Sequence, residues 1–411
     1  AMTTPEYYQQ NNVQFALSAK VVNINKLAKS VTTESGDVYE YDKLVLSTGS
    51  YPFVPPIPGN DQPHCLVYRT IEDLEAISAS AAVSKVGVVV GGGLLGLEAA
   101  NALKEAGLQT HVVEFAPQLM AVQVDGGGGR LLRSKIEALG VQVHTQKATQ
   151  TIEAGDTCRY KMVFADGEVL ETDMILFSAG IRPSDALARE FDLEIGQRGG
   201  IVIDDQCLTS DKDIYAIGEC ALWNNFIYGL VAPGYTMARA AASHIVGGDL
   251  TFQGADMSTK LKLMGVEVGS IGDAHARTEG ALCYTYENQP EEVYKKIVVD
   301  AEGKKLLGSV LIGDTSDYDT LLQYALNGIE LPENPESLIL PAGAGDAPGL
   351  GADALPDTAT ICSCHNVSKG DIIEAVDQGA CDVGTVKGCT KAATGCGGCA
   401  ALLKSVVDSE L

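Results

Sequence analysis

The strongest periodic signal lies over residues 86–145. The apolar run Val86–Val90 (VGVVV) reads as a strand buried on both faces, and GGGLLGLEAANALKEAG reads as a turn followed by a helix. THVVEF is a second strand, and a helix over Leu131–Leu139 with a strand at Val141–His144 continues the alternation. Such a β-α-β-α-β order predicts a parallel, doubly wound sheet. Residues 148–180 read as a β-meander that returns through MILFSAG. Upstream, residues 13–47 read as short strands ending in YDKLVLSTGS, where Thr48 and Gly49 permit a sharp turn after the apolar Leu44–Leu46. Pro52, Pro55, Pro56 and Pro58 enforce an extended crossing segment. Thr70 with Asp73 three residues on is a variant capping box, so a helix should open there. DIYAIGECA and an Ala-rich helix at about 234–246 close another α/β unit.

The pattern changes after about residue 255, to antiparallel strands with one helix near Tyr318–Asn327. Residues 341–357 are rich in Gly, Ala and Pro without periodicity and read as a flexible linker. The last fifty residues form a small cysteine-bearing module of short helices. VDGGGGR (124–130) places four glycines where a helix should begin, which predicts a loosened helix start.

Composition narrows the class. A chain of 411 residues with 45% apolar and 6% aromatic residues fits an ordinary α/β protein of several domains. The net charge of −25 argues against nonspecific binding to nucleic acid or to anionic lipid. It fits solubility, adaptation to a salty cytoplasm, or a docking surface for a basic partner. No run of about 18 apolar residues is present, so no membrane span is expected. No basic-apolar-small signal segment opens the chain. Most of the eleven cysteines stand singly, as suits a reducing cytoplasm.

Candidate chemistry concentrates in three places. Cys362 and Cys364 form C-x-C, and Cys396 and Cys399 form C-x-x-C. Two close thiolate pairs can converge on one tetrahedral-sulfur site, a 2Fe–2S cluster or zinc, with a disulfide as a further reading. The tight C-x-C pair departs from zinc-ribbon spacing. Gly395, Gly397 and Gly398 let backbone N–H groups approach inorganic sulfur. Cys381 and Cys389 fall outside the pairs and read as helix thiols, while His365 is an alternative ligand of the Rieske kind.

Gly91, Gly93 and Gly96 form G-x-G-x-x-G directly after a strand and at the mouth of a helix, the context a dinucleotide site needs. Gly91 permits the turn, Gly93 lets a pyrophosphate approach, and Gly96 lets helix pack on strand. Glu114 ends the second strand, where a carboxylate accepts ribose hydroxyls and repels a 2′-phosphate. Phe115 and Ala116 follow it without an arginine, so NADH is favoured over NADPH. Glu98 is either a solvated helix residue or a neighbour of the nicotinamide. Gly218 and Glu219 end an apolar strand, where an acidic residue either caps the strand or takes a ribityl hydroxyl of FAD. STGS (47–50) and SAGIRP (178–183) mark crossovers between nested domains. A reductase with its own dithiol would show C-x-x-C or C-x-x-x-x-C in these domains, but Cys65, Cys158, Cys207, Cys220 and Cys283 are isolated.

YDKLVLSTGSYPFVPPIPG, VYRTIEDLEAI, VVGGGLLGLEAANALK, DIYAIGECALWNN and ELPENPESLILPA, with ICSCHNVSKGDI and GCGGC, resemble the large subunits of assimilatory NAD(P)H-dependent nitrite reductases. These are flavoprotein reductases of the pyridine nucleotide-disulfide oxidoreductase kind. The resemblance covers essentially the whole chain. It implies an α/β protein with nested FAD- and NAD(P)-binding doubly wound domains, an α+β C-terminal domain and a small helical 2Fe–2S domain like that of bacterioferritin-associated ferredoxin. The implied division is a partial FAD segment at 1–82, an NAD domain at 83–180, a second FAD segment at 181–252, an α+β domain of the rubredoxin-reductase kind at 253–340, a linker at 341–359 and the 2Fe–2S domain at 360–411.

Carried over, the resemblance makes Cys362, Cys364, Cys396 and Cys399 cluster ligands. Gly91, Gly93, Gly96 and Glu114 become the NADH site, and Thr48, Gly49, Gly218 and Glu219 become parts of the FAD site. No catalytic acid or nucleophile is implied. Electrons would run from NADH to FAD to the 2Fe–2S cluster, in a cytoplasmic protein and a possible homodimer. The implied partners are a sirohaem-containing reductase region, with its 4Fe–4S centre, and a small nitrite reductase subunit. Two departures stand out. The family's first G-x-G-x-x-G, for the FAD pyrophosphate, has no counterpart here, and neither has its sirohaem and 4Fe–4S region. The chain is therefore expected to be an internal piece or a truncated product of a longer protein, inactive on nitrite alone. Two other functions fit the residues: a reductase for another iron–sulfur or rubredoxin-type carrier, and a non-catalytic cluster-carrying binding module.

Overall fold

The computed structural model describes residues 4–341, 355–363, 365–395 and 397–410. The chain divides into two compact units. One combines Ala1–Ser50 with Arg182–Ala255, and the other Tyr51–Ile181 with Asp256–Leu411.

In the first unit, strands Val21–Asn25, Ser30–Thr33 and Val38–Glu40 form an antiparallel sheet. Leu44–Leu46 pairs in parallel with Ile214–Ala216, placing Leu46 opposite Ala216. The two strands therefore end side by side, at Thr48–Gly49 and at Gly218–Glu219. The helix Val231–Ile245 follows, and its buried Met237, Ala240 and Ala241 face the core of the unit. It starts earlier than the expected residue 234. Pro233 lies in its first turn, where a missing N–H costs nothing.

The second unit contains the predicted parallel sheet. Its order is Cys65–Val67, Met174–Phe177, Val86–Val90, Gln109–Val113, Gln142–His144, with every neighbouring pair parallel. Cys65–Val67 continues this sheet beyond Met174–Phe177, so residues 51–82 lie with the central domain. The boundary expected at 82/83 falls instead near residue 50. A three-residue strand is too short to announce its sheet by pattern. Thr70 caps the helix Ile71–Ala81 with a complete box: Asp73 N–H donates to Thr70 Oγ1 at 3.2 Å, and Thr70 N–H donates to Asp73 Oδ2 at 2.8 Å. The expected meander is Thr149–Ala154, Tyr160–Phe164 and Val169–Thr172. Its Tyr160, Met162 and Phe164 pack on Val88, Val90, Ile175 and Phe177.

A second five-stranded sheet, antiparallel, runs Thr259–Leu263, Val266–Gly272, Leu306–Ile312, Val293–Val299, Leu282–Asn288. The helix Tyr318–Asn327 follows as expected. The glycine run corrects an expectation, because the helix runs Gly126–Ala138 and includes all four glycines. Asp125 caps it, with Gly128 N–H donating to Asp125 Oδ1 at 3.1 Å. The glycines let the first turn lie against the antiparallel sheet. A Cβ at Gly127 would fall 2.5 Å from the Tyr294 ring, and one at Gly128 3.0 Å from Val310. Tertiary contact outweighs poor helix propensity here.

The last module is a hairpin of Thr360–Cys362 with Val367–Ser368, followed by helices Lys369–Asp377, Val383–Thr390 and Ala400–Glu410. Ile361, Val367, Ile372, Val386, Leu403 and Val406 form its core. Cys389 is an exposed helix residue. Cys381 is also exposed, but stands ahead of the Asp382 cap rather than in a helix. Most of the expected linker, residues 342–354, lies outside the described residues.

Candidate functional site

The glycine-rich turn follows Val86–Val90 at the carboxyl edge of the parallel sheet. There the order reverses between this strand and Met174–Phe177, the crevice where open α/β sheets bind ligands. Gly91 has φ +118°, a conformation L side chains rarely adopt, and its Cβ would lie 2.2 Å from the carbonyl oxygen of Ser178. Gly96 is buried in the helix Leu94–Glu105, and its Cβ would lie 2.0 Å from the carbonyl oxygen of Gly91. These two positions are closed by the protein itself. Gly93 is different. It is the N-cap, with φ −80° and ψ −175°, and nothing stands within 4 Å of its missing Cβ. No side chain caps the helix. Its first N–H groups and the positive end of its dipole therefore face open space, the geometry that receives a phosphate.

Glu114 closes the other side of the turn. Gly92 N–H donates to its Oε2 at 2.5 Å, and Ala116 N–H donates to its Oε1 at 2.7 Å. Each carboxylate oxygen retains acceptor capacity for a ribose hydroxyl. Phe115 beside it is 78% exposed. Gly92 is a contributor that the motif spacing conceals, since its N–H orients the carboxylate. Glu98 is exposed on the helix. Behind the turn, Met120 N–H donates to Gly92 O at 2.8 Å.

In the first unit, Ser50 Oγ donates to Glu219 Oε2 at 2.5 Å and Thr48 Oγ1 donates to Ser184 O at 2.6 Å. Gly49 and Gly218 have φ +66° and +73°, with nothing within 4 Å of either missing Cβ. Thr48, Gly49, Gly218 and Glu219 thus gather at the ends of two paired parallel strands. Ser50, inside the STGS run, joins them. A polar edge with open glycines and an oriented carboxylate suits the ribityl end of a flavin. The G-x-G-x-x-G of this sequence lies at Gly91–Gly96, apart from these residues.

In the last module, Cys362 is buried on its strand, and its sulfur is in hydrogen-bond contact with that of Cys399. That contact, against the opposing effect of burial and with help from the N–H groups of Ala393 and His365, lowers the Cys362 thiol to about 5. The two cysteines come from different C-x-C and C-x-x-C pairs, and the fold brings them together. A buried thiolate receiving backbone N–H groups is the donor chemistry of a thiolate-bound cluster. Cys364 and Cys396 lie outside the described residues. The His365 ring is 3.3 Å from Thr394 Oγ1.

Residues 5–244 match the pyridine nucleotide-disulphide oxidoreductase family, and the chain belongs to that family. Residues 258–329 match the rubredoxin NAD+ reductase C-terminal domain, and residues 360–409 match the BFD-like 2Fe–2S binding domain. The protein is therefore an NAD(P)H-dependent flavoprotein oxidoreductase whose cofactors are FAD, NAD(P)H and a 2Fe–2S cluster. It is 59% identical, over 99% of its length, to the nitrite reductase [NAD(P)H] large subunit of Klebsiella oxytoca, and covers 42% of that protein. It is 55% identical, over 98% of its length, to the nitrite reductase (NADH) large subunit of Escherichia coli K12, covering 48%. The chain thus spans less than half the length of these relatives. Among solved structures, a ferredoxin reductase from Rhodopseudomonas palustris superposes with a TM-score of 0.68 at 25% identity, over 77% of each chain. Among the described residues no helix is long and apolar enough to cross a membrane.

Proposed function

We propose that this chain is the NADH-oxidising, electron-input portion of an assimilatory nitrite reductase, a cytoplasmic enzyme. The carrying observation is the uncapped helix start at Gly93, open beside an oriented Glu114, in the same chain as the Cys362–Cys399 pair. Gly93 and the following N–H groups would hold the NADH pyrophosphate. Glu114 would take the adenosine ribose and oppose a 2′-phosphate, which favours NADH over NADPH. Thr48, Gly49, Gly218, Glu219 and Ser50 would hold the ribityl end of FAD, and Cys362, Cys364, Cys396 and Cys399 the cluster. When bound, the flavin supplies the conversion of a two-electron hydride into single electrons, and the cluster carries them singly. The chain's residues bind and orient; no proton-transfer group is required of them.

The high identity to two nitrite reductase large subunits supports nitrite as the destination of the electrons. A sirohaem-containing region with its 4Fe–4S centre and a small subunit would then be the partners, with a homodimer as the assembly. The match to the rubredoxin NAD+ reductase C-terminal domain favours a second reading, a reductase for another small electron carrier.

Anaerobically purified protein is the test. It should hold about two irons and two sulfides per chain and bind NADH more tightly than NADPH. Glu114→Ala combined with Phe115→Arg should shift the preference toward NADPH. One zinc per chain without labile sulfide, or equal binding of the two nucleotides, would overturn the corresponding assignment.

A further inference from the structure

The cysteine module is joined to the preceding domain by more than its backbone. The helix Tyr318–Asn327 ends on Gly328, left-handed at φ +60°. Its last residue, Asn327, accepts the N–H of Thr360 on Oδ1 at 2.9 Å. Its amide nitrogen donates to Gln323 Oε1 at 2.8 Å, one turn earlier, and Gln323 is buried. Gln323 thereby sets which way the Asn327 amide faces, with the oxygen toward the module. Thr360 opens the strand Thr360–Cys362, so the bonded amide lies two residues from a cysteine of the candidate cluster. Just past the cap, Ile329 packs against both hydrophobic cores. On one side are the module's residues, including Ile361 and Leu403, and on the other Tyr318, Leu331 and Leu338.

We propose that the C-terminal end of this helix is the docking seat of the chain's own iron–sulfur module, with Asn327 as the positioning residue. The module presents its cluster from one fixed place rather than from a free tether. The proposal rests on the reading that the cysteines hold a 2Fe–2S cluster. The two contacts divide the work. Apolar burial at Ile329 holds two faces together but is non-directional and tolerates sliding. The Asn327–Thr360 hydrogen bond is directional and fixes where the Cys362 strand lies. Removing its acceptor leaves a half-buried N–H without its partner.

Hydrogen exchange of the Thr360 amide in the full chain reads the seat directly. Asn327→Leu should abolish its protection, and the visible circular dichroism of the cluster should change with it. Asn327→Asp keeps an acceptor oxygen, with the Gln323 amide turned to donate, so it should restore both. Ile329→Ser, which removes the apolar half, should raise the radius of gyration in solution scattering. If the Leu variant does not fold, Asn327→Ala removes the same oxygen without added bulk and is read the same way. Unchanged Thr360 protection in the variant lacking the oxygen, or failure of Asn327→Asp to restore it, overturns the seat. Iron and sulfide measured on the same samples separate the two ideas. Their absence from the unmodified protein sinks the cluster reading, while a cluster present with an indifferent Thr360 sinks only the seat.

Discussion

Gly91–Gly96 and Gly126–Gly129 both bring glycine to the N-terminal end of a helix in the same unit. At the first, no side chain caps the helix, and the missing Cβ of Gly93 faces open space. At the second, Asp125 caps the helix, and the missing Cβ of Gly127 would meet Tyr294 at 2.5 Å. Glycine signals close approach in both runs, but to different things. In the first the space awaits a ligand, and in the second it is filled by the antiparallel sheet. A cap residue separates them: an N-terminus meant for a phosphate must leave its N–H groups free, whereas one that serves packing satisfies them with its own carboxylate.

The largest effect should come from the closed run. Asp125 Oδ2 accepts from Lys296 Nζ and from the Tyr294 hydroxyl, each at 2.9 Å, besides the cap at Gly128. Lys296 is buried, so Asp125→Ala strands a cation as well as removing a cap. A loss of about 3–5 kcal/mol is expected from such a broken buried pair, read as a lower denaturant midpoint. Burial pushes the Asp125 carboxyl up, but the Lys296 ammonium and the donors from Gly128 and Tyr294 outweigh it and hold it below its ordinary 3.8. Its folded value lies under its unfolded one. The ionic part of this stabilisation is therefore full above the ordinary carboxylate range and fades as pH falls through the lowered value. The gap between the wild-type and Asp125→Ala midpoints should narrow in acid, and a gap that widens would contradict the pairing.

Next in size are the glycines whose space is taken. Gly96→Ala would drive a Cβ to 2.0 Å from a backbone oxygen that cannot turn aside. About 1–3 kcal/mol of stability should be lost to overpacking. Gly127→Ala meets a ring whose displacement disturbs the Asp125 bond, but alanine favours the helix by roughly 1 kcal/mol over glycine. A smaller net loss, of about 1 kcal/mol, should appear in the same melts. A stabilised Gly127→Ala would mean that Tyr294 moves freely and that the run is not a packing device.

The parallel sheet is legible in the chain because the apolar run Val86–Val90 is followed by a helix of regular period and a second strand at THVVEF. The Thr70 box and the helix Tyr318–Asn327 are legible for the same reason: local chemistry and fold agree. The glycine run at 126–129 misleads because its cause, Tyr294, lies far along the chain. Cys65–Val67 gives no warning of the sheet it joins because three residues carry no period. At the candidate sites, the motif glycines and Glu114 stand out by spacing, and the cysteine pairs by their tightness. Gly92, Ser50 and the Asn327–Thr360 bond do not, because each acts through a backbone group or a short polar side chain whose partner only the fold supplies.

Gly93→Ala should move stability least and separates the two runs most sharply. At φ −80° and ψ −175° the backbone is extended and open to any residue, and the new methyl meets no protein atom. Exchange of glycine for alanine at an N-cap costs under about 1 kcal/mol, so the denaturant midpoint should shift less than it does for Gly127→Ala. The methyl does, however, enter the space a pyrophosphate would occupy against the N–H groups of the turn. NADH affinity should fall at least about tenfold, or roughly 1.4 kcal/mol, in a fluorescence or calorimetric titration of the same preparation. Gly127→Ala should do the reverse, lowering the midpoint while the protein that remains folded binds NADH as before. If Gly93→Ala binds NADH like the unmodified chain, the phosphates do not lie on this turn. The open space at Gly93 would then be no more informative than the filled space at Gly127.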